Sequence, residues 1–146
     1  MGERRVYAKI VVAYDGSAAG GNCLRQAAGL ARVCGAELHI LGIVPTSGGF
    51  AIAQATSGMD VFGMKRQMIE KSLAEADAAE DCHGVQHVIA LREGDPAAEI
   101  VAHAREIKAD LVVLGQSDRG RLSRWFAGST ANTLLQYLPC SLLIAP

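Results

Sequence analysis

Between residues 110 and 130 the chain reads DLVVLGQSDRGRLSRWFAGST, and this stretch holds the residue types best suited to gripping an anion. Leu111-Val112-Val113-Leu114 is a short, continuous apolar run, the pattern of a strand buried on both faces. Gly115 ends it, a polar, arginine-rich loop follows, and Gly128-Ser129-Thr130 stand ahead of residues 131–138, which read as a helix. Unpaired N–H groups at a helix start, reinforced by the positive end of the helix dipole, favour phosphate. The chemistry that this stretch implies is therefore phosphate binding.

A second candidate is Asp15-Gly16-Ser17, which turns the chain after Ile10-Val11-Val12-Ala13. At the end of a strand Asp15 offers a carboxylate to a ligand; the plainer reading is an Asx turn that tightens the connection. Ser17 reads mainly as a helix N-cap. Gly128-Ser129-Thr130 serve equally as a simple helix start, the loop arginines as solvated charges, and Trp125 with Phe126 as packing or interface residues.

Other chemistries find less support. His83 and His87 are four apart, but Gly84 and the approaching strand break any helix that would bring them together on a zinc ion. No Ser-His-Asp set, P-loop lysine or paired catalytic carboxylates can be placed, and no general base is identifiable. The expectation is a binding protein, with slow nucleotide hydrolysis as a distant third reading. The acidic pair that a phosphoreceiver domain carries after its first strand is absent.

The elements that must position these residues follow from pattern and bulk composition. A chain of 146 residues with half its residues hydrophobic fits one domain, residues 1–146. A formal net charge of −1 gives no general attraction to nucleic acid or anionic membrane. No apolar run approaches the ~18 residues of a membrane span. Residues 1–5 lead into a strand-like segment rather than a signal-peptide core. The four cysteines, Cys23, Cys34, Cys82 and Cys140, form no CxxC pair and read as reduced, mostly buried thiols, which fits a cytoplasmic location.

Taken in order, residues 7–14 read as a strand, and Leu24, Ala27, Ala28, Ala31 and Cys34 as the inner face of a helix closed by Gly35. Residues 37–44 form the second strand, ended by Pro45. The Gly-, Ala- and Ser-rich segment 46–58 has no clear period and reads as a mobile loop or lid. A helix over residues 60–81 would turn Val61, Met64, Met68, Ile69 and Leu73 inward, the methionines as core filler. Residues 85–91 are a third strand, and Asp95-Pro96 suit the cap and first position of a helix with Ala97, Ile100, Val101, Ala104 and Ile107 as its apolar face. Strand 111–114 and helix 129–138 follow, and after Pro139 a fifth strand covers residues 141–144. Alternating strands and helices predict an open parallel α/β sheet with helices on both faces. Such sheets bind ligands beyond the carboxyl ends of the strands, where the winding reverses.

Six segments in this order resemble the universal stress protein family over essentially the whole chain. They are Ile10-Val11-Val12-Ala13-Tyr14-Asp15-Gly16-Ser17, Gly35-Ala36-Glu37-Leu38-His39-Ile40-Leu41, Gly94-Asp95-Pro96-Ala97-Ala98-Glu99-Ile100, Ala109-Asp110-Leu111-Val112-Val113-Leu114-Gly115, Gly128-Ser129, and Leu138-Pro139-Cys140-Ser141-Leu142-Leu143-Ile144. The resemblance implies strand order 3-2-1-4-5 in an adenine-nucleotide α-hydrolase-like fold, and a homodimer joined through the fifth strand. It also implies ATP or another adenine nucleotide as ligand. Ala13, Asp15 and the backbone near Ile43 would hold the adenosine half, and Gly115, Gly128, Ser129 and Thr130 the phosphates. Gln116 and Ser117 would supply backbone donors, and Leu114 and Asp118 complete the expected set.

In ATP-binding members the pattern is glycine, two residues, glycine, nine residues, glycine, then serine or threonine. Here Gly115, Gly128 and Ser129 match with the loop length kept, but Asp118 occupies the second glycine position. Two unit charges ~4 Å apart interact by about 4 kcal/mol at an effective dielectric near 20, against ~0.3–1 kcal/mol from a helix N-terminus. Asp118 beside a phosphate therefore needs Arg119, Arg121 or Arg124 to neutralise it, or Mg²⁺ to bridge it. Two readings follow: an adenine-nucleotide-binding regulatory dimer of the stress response, or a nucleotide-independent interaction module with an unknown protein partner.

Overall fold

The computed structural model describes residues 5–16, 18–115 and 129–145. Five strands, β1 (Lys9–Ala13), β2 (Glu37–Pro45), β3 (His87–Gly94), β4 (Leu111–Gly115) and β5 (Ser141–Ala145), form one sheet in the order β3-β2-β1-β4-β5. Every pairing is parallel. The chain winds from β1 outward to β3, crosses back and winds the other way through β4 to β5, so the direction reverses between β1 and β4. This is the expected topology.

Helices cover both faces. On one lie α1 (Ala18–Cys34) and α3 (Val61–Asp77), packed on Ile10, Val12, Leu38, Ile40 and Val113. On the other lie α4 (Pro96–Ile107) and α5 (Ser129–Tyr137), packed on Val11, Ala13, Leu41, Ile43, Val112 and Leu114. Because β1, β2 and β4 are buried from both sides, they read as continuous apolar runs without alternation. Asp110, just before β4, secures the start of β1: its Oδ2 accepts from the Ala8 and Lys9 amides at 2.8 and 2.9 Å.

Local chemistry sets the helix ends. Asp95 caps α4 by accepting from the Ala98 amide at 3.1 Å, with Pro96 in the first turn, as expected. Asp60 caps α3 through the Gly63 amide at 3.0 Å. Gly35 closes α1 with φ of 64°, a conformation open to glycine at little cost. Gly42 on β2 has a different reason: a Cβ there would stand 2.6 Å from Ile69 Cγ2 and 2.8 Å from Leu73 Cδ1, so glycine lets α3 seat directly on the sheet.

Four expectations are corrected. Residues 46–58 are not a structureless lid, since α2 (Gly49–Thr56) occupies most of them. Its three alanines, Ala51, Ala53 and Ala55, favour a helix that the flanking glycines disguise. The helix expected over residues 60–81 ends at Asp77, and a single 3₁₀ turn, Glu80–Cys82, fills the rest. Finally, Met64 and Met68 are exposed at 51% and 62% rather than core filler; Ile69, Leu73 and Ala76 carry the buried face. The third strand also starts two residues later than expected and runs on to Gly94.

Candidate functional site

The carboxyl edge of the sheet brings together the two places that the sequence singles out. β1 and β4 are direct neighbours, with Val12 opposite Val113, so Ala13 and Leu114 come next on adjacent strands. On the other side Ala13 pairs with Leu41 of β2, and the Tyr14 amide donates to the Leu41 carbonyl at 2.9 Å, which holds the chain in line until Asp15. Ala13, Ile43 and Leu114 belong to one buried cluster under α4 and α5. Their side chains floor this edge, and Asp15 and Gly115 stand at the ends of the two strands that flank the reversal.

Asp15 is exposed and precedes Gly16, whose φ is 81°. That turn lies against α3, because a Cβ on Gly16 would sit 2.2 Å from Ser72 Oγ. Position 16 thus needs glycine for its backbone angle and for close approach. The negative charge of Asp15 reaches inward. Burial, and then Asp15, push the Cys23 thiol up to about 12, so Cys23 stays a protonated core residue and not a nucleophile. Burial likewise raises the Tyr14 phenol, assisted by Glu75 and Asp15. Cys23 and Cys82 are buried, Cys34 and Cys140 half-buried, and all four are free thiols.

Ser129 and Thr130 open α5, as expected, and their backbone therefore belongs to a helix start. The rest of the loop falls outside the described residues: Gln116, Ser117, Asp118, the arginines at 119, 121 and 124, Trp125, Phe126 and Gly128, as does Ser17. The structure thus places Ala13, Asp15, Ile43, Leu114 and Gly115 on one edge and Ser129 and Thr130 at a helix start.

Elsewhere, Arg92 of β3 forms a network that sequence spacing did not reveal. Its Nε donates to Glu99 Oε2 at 2.7 Å and its Nη1 to Glu106 Oε2 at 2.9 Å, both on α4. The Glu99 hydrogen bond chiefly holds Arg92 charged, and Arg92 holds the Glu106 carboxyl below its usual range. A groove of about 260 Å³ between α4 and α5, lined by Ala98, Val101, Ala102, Arg105, Thr133 and Tyr137, contains none of the expected ligand-binding residues. Its one cation, Arg105, already donates to the Tyr137 carbonyl at 3.1 Å. Among the described residues no group of three or more His, Cys, Asp or Glu could hold a metal, and no helix is long and apolar enough to cross a membrane.

Comparison with known proteins gives this architecture its family. The model of the universal stress protein family matches residues 7–146. A universal stress protein of Bacillus subtilis is 30% identical over 149 residues, covering 95% of this chain and 99% of its own. A solved member of the family from Burkholderia pseudomallei superposes with a TM-score of 0.74 at 28% identity, covering 99% of both chains. At the level of fold, a universal stress protein from Archaeoglobus fulgidus, solved in complex with dAMP, matches with a TM-score of 0.56 at 22% identity over 97% of this chain and 99% of that one. The chain belongs to the universal stress protein family.

Proposed function

We propose that the protein binds an adenine nucleotide at the carboxyl edge of its sheet and acts as a regulatory dimer rather than an enzyme. The observation that carries this reading is the alignment of Asp15, Ile43 and Gly115 on three neighbouring strand ends where the winding reverses, a position at which parallel α/β sheets bind ligands. The start of α5 at Ser129 adds backbone donors suited to phosphate. The family member from Archaeoglobus fulgidus solved with dAMP supports an adenine nucleotide as the ligand class. In this reading Ala13, Asp15 and Ile43 hold the adenosine half, and Gly115, Ser117, Gly128, Ser129 and Thr130 the phosphates. Asp118 is the point of tension, relieved by Mg²⁺ or a loop arginine. β5, an outer strand with Leu143 37% exposed, supplies the dimer edge, since an unpaired apolar strand is a ready template for a second copy. The cytoplasm is the expected compartment.

Calorimetry with ATP, ADP and AMP, with and without Mg²⁺, tests the proposal. Binding heat that disappears in Asp15→Ala is expected; no heat and no nucleotide co-purifying with the protein would overturn it. Asp118→Gly should tighten binding in metal-free buffer, and unchanged affinity there would place Asp118 away from the phosphates.

A second reading, a nucleotide-independent interaction module, is favoured by one observation. α2 has no buried residue, and Phe50, Ile52, Met59, Met64 and Met68 along α2 and α3 are exposed. Methionine-rich apolar surfaces adapt to protein partners. Partner capture untouched by Asp15→Ala and Ser129→Ala would favour this reading.

A further inference from the structure

α4 docks on the sheet through Ala97, Ile100, Val101 and Ala104, and within that apolar seam lies His103, only 7% exposed. Its ring meets that of His39 on β2, equally buried, edge to face with centroids 5.8 Å apart. Nε2 of His103 is buried and has no hydrogen-bond partner among the described residues. His39 is held from the other side, its Nε2 2.5 Å from Glu37 Oε1. Buried polar atoms are nearly always paired, and an unpaired one in a helix-docking seam invites a functional explanation. Among the described residues no metal-holding group of three includes these rings, and an imidazole's own chemistry near neutral pH is that of the proton.

The charges around the pair come from several elements. β2 contributes Glu37 and His39. β3 contributes Arg92. α4 itself carries Glu99, Arg105 and Glu106. From β1 comes Lys9, opposite Glu37, and from α5 Tyr137, whose carbonyl takes Arg105. The carboxylates nearest the seam are engaged, Glu37 with His39 and both Glu99 and Glu106 with Arg92. A proton on His103 is thus opposed by burial first, then by His39 and Arg92, and favoured only by Glu106.

We propose that His39 and His103 form a proton-operated latch between β2 and α4: with His103 neutral the helix stays docked, and a proton on His103 in mild acid loosens it. α4 is the crossover that delivers β4, and so Gly115, to the carboxyl edge; the latch therefore acts on the framework behind that edge.

The sign follows from linkage. His103 titrates below its ordinary value in the folded chain, so the stability that it contributes is present above about pH 6.5 and is lost as pH falls toward the folded midpoint. His87 acts in the opposite sense, so a global melting curve would blur the two and a local measurement is needed. Hydrogen exchange of the whole protein between pH 7.5 and 5.5, corrected for intrinsic rates, should show opening of the α4 amides rising by up to about tenfold per pH unit below about pH 6.5. His103→Gln should flatten that dependence, while His83→Gln, at an exposed position, should leave it intact. A wild-type α4 insensitive to pH, or a dependence that survives His103→Gln, overturns the latch. If His103→Gln does not fold, the wild-type protein decides alone. A His103 ring titration followed by NMR with its midpoint below about 6.5, alongside α4 opening in acid, supports the latch; a midpoint at or above it overturns the idea.

Discussion

On the α1/α3 face of the sheet a histidine sits at the rim, and on the α4/α5 face another sits in the seam, with opposite consequences for the proton. His87 of β3 donates from Nδ1 to the Val85 carbonyl at 2.9 Å and places Nε2 2.8 Å from Asp77 Oδ1 at the end of α3. The Val85 carbonyl, then Asp77, hold it in the charged form against partial burial. His103 is driven toward neutrality by burial first, then by the charges of His39, whose ring it meets, and Arg92. Chemically identical side chains therefore oppose each other in their pH dependence, because one is hydrogen-bonded to acceptors near water and the other is buried under a helix with Nε2 unpaired among the described residues. The faces differ in packing too. α3 seats directly on Gly42, whereas α4 spans a seam that includes polar rings.

The largest effects should come from packing. Ile100→Ala on the α4/α5 face removes a fully buried side chain and should cost about 2–5 kcal/mol in denaturant unfolding. Gly42→Ala on the opposite face forces a methyl against Ile69 and Leu73 and should cost about 1–3 kcal/mol. Equal tolerance of Gly42→Ala and a surface alanine would show that the α3 face is not closely seated. Next come the caps. Asp60→Ala and Asp95→Ala each remove one side-chain acceptor, and each should cost about 0.5–2 kcal/mol. A much larger loss at Asp95 would mean that α4 docks less independently than α3. The smallest effect concerns His87. Its stabilisation is present below about pH 6.5 and is lost as pH rises through its raised folded value. His87→Gln should therefore lower the melting temperature at pH 5.5 more than at pH 8.5. An equal loss at both would remove the contrast between the faces.

Much of the framework is legible in residue order. Leu111–Leu114 reads as a doubly buried strand because it is one, and Asp95-Pro96 announces α4 because capping is local chemistry. The likeness of six segments to one family carries the strand order, which periodicity alone leaves open. Segment 46–58 misleads because glycines mask an alanine-rich helix. Met64 and Met68 mislead because helical spacing defines a stripe but not which stripe meets the sheet; Ile69, Leu73 and Gly42 decide that together.

The candidate site divides in the same way. Strand ends and a helix start are local features, so Asp15, Gly115 and Ser129 could be chosen from sequence, and the sheet then sets the strands that lead to Asp15 and Gly115 side by side. His39 with His103 and Arg92 with Glu106 could not be chosen, because each pair joins residues from different elements that meet only once α4 lies across β2 and β3. By itself, then, the sequence determined most of the elements, the Asp95 cap of α4 and the choice of candidate strand ends, all set by interactions within a few residues. Tertiary structure alone decided which groups share a dielectric and a proton, because those properties belong to the space between elements and exist only after packing.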